Sequence, residues 1–207
     1  MPLIRSSLNP AAQPQAGAEK IAQDLAHGND DQRWDAARAA AGAPDGLRLL
    51  RSAMFVEREP RVLEAIFTSL ARIGTSESAE AVLPCLRSDD SKLRTAALDA
   101  LRAMPTATRL HLPHLLHDAD PDVRLLACDL VREQTPAEAA RLLSEVLVHD
   151  SEANVCAAAV EVLAETGGPD VLPLLAQCAA RFPDDPFLAF AIEIAGERLG
   201  SQALNRD

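Results

Sequence analysis

The chain has 207 residues, 48% of them hydrophobic, with 20 basic against 31 acidic side chains and a formal charge of -11. That length suffices for the core of one domain or one short repeat array, and the acidity speaks against nucleic acid as a partner, because affinity for phosphates comes mainly from clustered Lys and Arg. The cysteines Cys85, Cys128, Cys156 and Cys178 form no CxxC pair and show no metal-ligand spacing, which predicts reduced, mostly buried thiols in a cytoplasmic protein.

Residues 1–17 contain three prolines and little that can pack, so a flexible N-terminal tail is expected there. The start lacks an apolar stretch of signal-peptide length and no eighteen apolar residues run together, so neither export nor membrane insertion is expected. From Glu19 onward Ala and Leu recur at i, i+3, i+4 and i+7, Tyr is absent and β-branched residues are sparse, a pattern of amphipathic helices.

In chain order, a first helix over 18–27 precedes "DDQRWDAARAA" (30–40), and one over 45–53 precedes "REPRVLEAIFTSL" (58–70). A helix over 77–87 leads to "DDSKLRTAALDAL" (89–101), and one over 106–117 to "DADPDVRLLACDLV" (118–131). Helices over 136–149 and 169–181 lead to "HDSEANVCAAAVEVL" (149–163) and "DDPFLAFAIEIA" (184–195). The clearest three copies align without gaps on the anchors Leu93, Val123 and Val155, in steps of 30 and 32 residues, and weaker copies align on Gln32, Val62 and Phe187. A period near thirty in helical sequence means stacked helix pairs. Six units are expected, over 18–42, 44–73, 76–104, 106–134, 136–167 and 169–199, with a C-terminal tail over 200–207.

The acids before each second helix cap its exposed N–H groups and favour the positive end of its dipole. An arginine follows the anchor at Arg33, Arg94 and Arg124, at the edge of the buried stripe and within reach of an acid at the neighbouring junction. Proline inside a helix removes a backbone bond, so the pairs Leu83-Pro84, Leu112-Pro113 and Leu172-Pro173 predict a shared bend in first helices.

With "DPDVRLLA" and "DSKLRTAA" as its most specific stretches, and the Leu-Pro pairs in support, the sequence over about 18–199 resembles the short bacterial type of HEAT-repeat protein. The resemblance implies an all-α, right-handed α-solenoid of about six HEAT-like helical hairpins. It also implies a structural ladder between repeats, for which the residues here are Arg33, Asp90, Arg94, Asp120, Arg124 and Asp150.

Two enzymatic relatives of that architecture set the alternative. Deoxyhypusine hydroxylase holds iron with His-Glu pairs on second helices, whereas no second helix here contains histidine, and His27, His117 and His149 fall at first-helix ends. Phycobilin lyases grip an extended tetrapyrrole, for which six aromatic residues in the whole chain are a poor match. No catalytic residue, metal or cofactor is therefore assigned.

Counting from the anchor, positions 0, 3, 4 and 7 of each second helix face the core, Leu126 among them, and positions 2, 6 and 9 face away. Position 6 reads Arg38, Thr68, Asp99, Asp129, Glu161 and Glu193, four consecutive carboxylates at one height. Position 2 places Trp34 and Leu125 on the same concave side. Phe182, Phe187 and Phe190 are expected to close the end of the core. The expected function is a non-catalytic scaffold, adaptor or regulator that receives a basic segment of a partner protein on Trp34, Asp99, Leu125, Asp129, Glu161 and Glu193; the alternative is a lyase-like or metal-dependent HEAT-repeat enzyme acting on a partner protein.

Overall fold

The computed structural model describes the backbone of residues 12–204 and the side chains of residues 17–201. Among the described residues there are thirteen α-helices, two short 3-10 segments and no strand. The chain divides after Pro84 into two compact units. The first contains α1 (Ala12–His27), α2 (Asp30–Ala40), α3 (Gly46–Met54), α4 (Pro60–Ile73) and α5 (Ser76–Val82), and the 3-10 segment η1 (Leu83–Arg87) follows. The second contains α6 (Ser91–Arg102), α7 (Pro105–Arg109), α8 (Leu112–Leu115), α9 (Pro121–Val131), α10 (Pro136–His149), α11 (Ala153–Thr166), η2 (Pro169–Val171), α12 (Leu172–Arg181) and α13 (Pro186–Leu204).

Helix starts follow from side chains that serve the backbone. Asp90 accepts from the N–H of Lys92 and Asp120 from that of Asp122, each at 2.9 Å, and Asp185 accepts from Leu188 N–H at 2.8 Å. Asn29 and Gln32 form a reciprocal capping box at 2.9 Å. Pro60, Pro121, Pro136 and Pro186 occupy first helical positions, where a missing N–H costs nothing. Gly74 ends α4 at φ 65, and its N–H bonds to Leu70 C=O at 3.1 Å. At Gly46 a Cβ would lie 1.7 Å from the Ala40 carbonyl oxygen, so only glycine lets α3 start this close to the end of α2.

Burial follows the helical period. In the first unit α2 packs on α1 and α4, with Leu50, Ile66 and Leu70 fully buried. In the second, α9 packs on α6, α8 and α11, and α11 on α10 and α13, with Leu101, Leu112, Leu143, Leu147 and Leu163 fully buried. Val123 and Val155 are buried anchors, while Leu93 is only half-buried and Leu126, expected inside, is half-buried too. All four cysteines are free and buried. Burial pushes the Cys85 thiol up to about 11 and the Cys128 thiol up to about 12, which keeps both protonated.

Several boundaries differ from the sequence pattern. The expected tail lies outside the described residues up to residue 11, and from Ala12 the chain is already helical. At the other end α13 continues past 199 to Leu204, and residues 205–207 lie outside the described residues. The bend expected at the Leu-Pro pairs is a change of helix: η1 takes over from α5 at Leu83, α8 starts at Leu112, and α12 starts at Leu172 after η2. The pyrrolidine nitrogen of Pro84, Pro113 or Pro173 has no proton to continue the preceding bond ladder.

The last unit is out of register by one residue. In the other second helices the N-cap stands three residues before the anchor, as Asn29 before Gln32, Asp90 before Leu93 and Asp120 before Val123. Asp185 therefore makes Leu188 the anchor. Leu188 is 1% exposed and Phe187 is 66% exposed.

Candidate functional site

The arginines after the anchors share one backbone contact. Arg33 donates to Gly28 C=O at 3.0 Å, Arg94 to Ser88 C=O at 2.5 Å and Arg124 to Asp118 C=O at 2.9 Å, so each ties its second helix to the junction that precedes it. Two of them also reach forward. Arg33 grips Glu57 through Nε at 2.7 Å and Nη2 at 3.1 Å, and Arg124 grips Asp150 through the same atoms at 2.7 and 2.9 Å. Such bidentate pairs match the planar guanidinium to the carboxylate. Among the described residues no ion pair joins Arg94 to an acid; Arg87 of η1 pairs with Asp118 instead.

The acids of this ladder are Glu57, Asp118 and Asp150, each two residues before an N-cap position. Their second oxygen accepts from their own junction, at 2.9 Å from Glu59 N–H, 3.0 Å from Asp120 N–H and 2.9 Å from Glu152 N–H. Asp90 and Asp120, expected in the ladder, are caps and take no part in it. For Glu57, burial works against the charged form, yet Arg33 and the N–H groups of Glu59 and Arg58 hold its carboxyl below the ordinary range. The hydrogen bond that Arg124 donates to Asp150, with the acids around it, raises the Arg124 guanidinium. The interval in which the chain divides carries neither member of the pair: Leu63 and Ser88 stand at the two positions.

On the outward face of the second unit, the acids of position 6 are cross-linked by arginines. Arg102 pairs with Asp99 at 3.0 Å and also with Asp129; Arg132 lies 3.5 Å from Asp129 and 3.6 Å from Glu161, and pairs with Glu165. Asp99, Asp129 and Glu161 thus belong to one row of alternating charge, and much of their potential is spent on Arg102 and Arg132. Glu193 is not in it. With Leu188 as anchor, position 6 of the last unit is Ile194 and position 2 is Phe190.

That substitution of apolar for acidic residues builds a cavity of about 470 Å³, lined by Leu125, Ala157, Ala158, Phe187, Phe190 and Ile194, with Asn154, Glu161, Glu165 and Arg198 also bordering it. Phe190 is 62% exposed and Ile194 47% exposed. Of the phenylalanines expected to close the core, Phe187 and Phe190 line an open concavity instead, because the cap at Asp185 turns them outward, while Phe182 is half-buried beneath the Arg181 guanidinium. Large apolar side chains left together in water mark an interaction surface.

Trp34 lies in the first unit and is half-buried. The guanidinium carbons of Arg38 and Arg61 stand 4.5 and 4.6 Å from its ring centroid. It borders a cavity of about 390 Å³ with Arg38, Arg61, Glu64, Ser69 and Arg72. Its ring is flanked by guanidiniums, with Glu64 the one acid bordering the same cavity, and the carboxylates of Asp99, Asp129 and Glu161 lie in the other unit.

The HEAT-repeat family pattern matches residues 18–102 and 110–195. The chain belongs to the HEAT-repeat family. Among solved structures, this HEAT-repeat chain is similar to an engineered protein, at 18% identity over 89% of this chain and 96% of that one with a TM-score of 0.42. A designed armadillo repeat protein shares 16% identity over 90% and 99%, with a TM-score of 0.41. The complex of CpcE and CpcF of phycocyanin lyase from Nostoc sp. shares 14% identity over 96% and 99%, with a TM-score of 0.38. No curated protein matches the chain.

Of the residues expected to bind a partner, Leu125 and Glu161 border the apolar cavity, Asp99 and Asp129 lie along the charge row, and Trp34 and Glu193 lie elsewhere. Phe190 and Ile194 were missed through the register slip. The signal was present: "DPFL" at 185–188 matches "DPDV" at 120–123, cap for cap and proline for proline. Among the described residues no three His, Cys, Asp or Glu side chains converge as metal ligands, and no helix is long and apolar enough to cross a membrane.

Proposed function

We propose that this HEAT-repeat protein is a non-catalytic protein-interaction scaffold whose second unit receives an apolar segment of a partner protein. One observation carries this: Phe187, Phe190 and Ile194 stand exposed together around a concavity completed by Leu125 and Ala157. Aromatic side chains in a partly enclosed pocket are the usual anchors of a protein interface. Glu161 and Glu165 at its border, on a chain of formal charge -11, favour a partner with basic residues beside its apolar ones. Four free, buried thiols support a reducing, cytoplasmic setting.

The test is capture from the native lysate on immobilised wild-type chain and on the folded variants Phe190→Asp and Ile194→Asp. Proteins held by wild type and lost from both variants are the expected result. An identical set on all three, or none on wild type, overturns the proposal. Absorbance on mixing with a bilin tests the enzymatic alternative, since an extended aromatic ligand seated in the same concavity would shift its spectrum and would be lost with Phe190.

A further inference from the structure

The cavity of the first unit is basic within an acidic chain. Along α4 it is bordered by Arg61, Ala65, Thr68 and Arg72, three or four residues apart and hence on one helix face, with Glu64 and Ser69 flanking that stripe, and along α2 by Trp34 and Arg38, one turn apart. Arg61 already holds Asp31 at 2.7 Å. Arg38 and Arg72 hold no acid among the described ion pairs, so against Glu64 they leave one positive charge unbalanced. A second feature points to a ligand. Ser69 is 1% exposed and its Oγ is the one buried side-chain oxygen or nitrogen among the described residues with no hydrogen-bond partner. A buried hydroxyl left unpaired is costly, and native proteins rarely retain one without a reason.

We propose that this cavity is a carboxylate site, which takes a glutamate or aspartate side chain of an acidic partner segment onto the guanidiniums of Arg38 and Arg72, with the Ser69 hydroxyl as a further donor. One carboxylate balances the one spare charge. Guanidinium forks bind that planar group through paired N–H bonds. The site is chemically distinct from the apolar concavity of the second unit, so a partner with separate acidic and apolar segments can use both.

Trp34 is the only tryptophan and the chain has no tyrosine, so its fluorescence reports this cavity alone. The probes are an acetylated and amidated peptide of alternating Glu and Gly, its Gln counterpart, and inorganic phosphate, titrated at low salt. The Glu peptide should give a saturable change, and the Gln peptide and phosphate should give none. Arg38→Gln and Arg72→Gln should each weaken the Glu peptide roughly tenfold, as expected for loss of a charge-assisted pair, while Arg48→Gln on the exposed face of α3 should not. Ser69→Ala should weaken binding but leave melting temperature unchanged or raised, a combination that a structural hydroxyl would not give. Equal responses to Glu and Gln, binding of phosphate in place of the peptide, or Glu binding that survives both arginine variants in folded protein would overturn the proposal.

Discussion

The first and last second helices present different chemistry at the same two positions. In α2 they are Trp34 and Arg38; in α13 they are Phe190 and Ile194. The first pair sits among guanidiniums beside a charged cavity, and the second opens an apolar one. The backbone frame that displays them is the same in both: an N-cap three residues before the anchor, Asn29 in one and Asp185 in the other, each accepting from the anchor's N–H. On the proposed reading, recognition chemistry in this repeat is carried by outward positions that cost the core nothing, and can vary from hairpin to hairpin.

If the frame is common and only the display differs, breaking the frame should give the largest effect. Arg124→Ala leaves Asp150, a carboxylate with 4% side-chain exposure, without its partner. Breaking such a pair costs about 3–5 kcal/mol, read as a lowered urea midpoint. Arg33→Ala should act in the same direction but less, because Arg33 and Glu57 are more exposed, at 22% and 7%. A smaller loss at Arg124 than at Arg33 would show that the ladder is not what holds the second unit together.

The display itself is broken by Phe190→Asp, which should weaken partner binding by about 2 kcal/mol if the ring is an anchor. Its urea midpoint should hardly move, since the ring is mostly in water. Arg38→Gln should leave that partner's apolar contact intact. Equal losses from the two variants, measured by titration calorimetry on the captured partner, would mean that the two cavities do not act separately.

The helical hairpins were legible because period, caps and proline placement all pointed one way. Leu93 and Leu126 show the limit: apolar identity does not say how far a position turns from the core axis, and both are half-buried. The site was legible only where register was safe. Leu125 and Glu161 border the apolar concavity, whereas aligning on the aromatic Phe187 in place of the Asp185-Pro186 cap moved Glu193 onto a face that belongs to Ile194. The ladder acids Glu57 and Asp118 escaped notice because an acid two residues before a cap looks in sequence like another capping residue. The partners of Arg102 and Arg132 across the row depend on helix spacing, which a sequence does not carry.

A change of pH sharpens the comparison at intermediate scale. Glu57 is held below its ordinary value of 4.5 in the folded chain, so its pairing contributes stability that is fully present above that value and is lost as pH falls through its lower folded value. The first unit should therefore weaken from about pH 4.5 downward, with Trp34 fluorescence as the readout. In Glu57→Gln the acid-dependent part should shrink. An unchanged acid transition in that variant would assign the loss to other carboxylates.

The smallest expected effect belongs to the charge row, and it decides whether that row is display or frame. Asp99 is 61% exposed and pairs with Arg102 one turn along the same helix, while Arg102 is also engaged by Asp129 on the next second helix. Removing Asp99's charge therefore leaves Arg102 with its better-buried partner. An exposed pair of this spacing contributes only about 0.2–0.5 kcal/mol, so Asp99→Asn should lower the unfolding free energy by no more than that, with the difference vanishing as added salt screens it. Asp129→Asn should cost more, because Arg102 and Arg132 share its carboxylate. If both variants instead leave stability alone and weaken the captured partner, the row is a binding surface in its own right, and the contrast between the two ends of the chain extends across the helices between them.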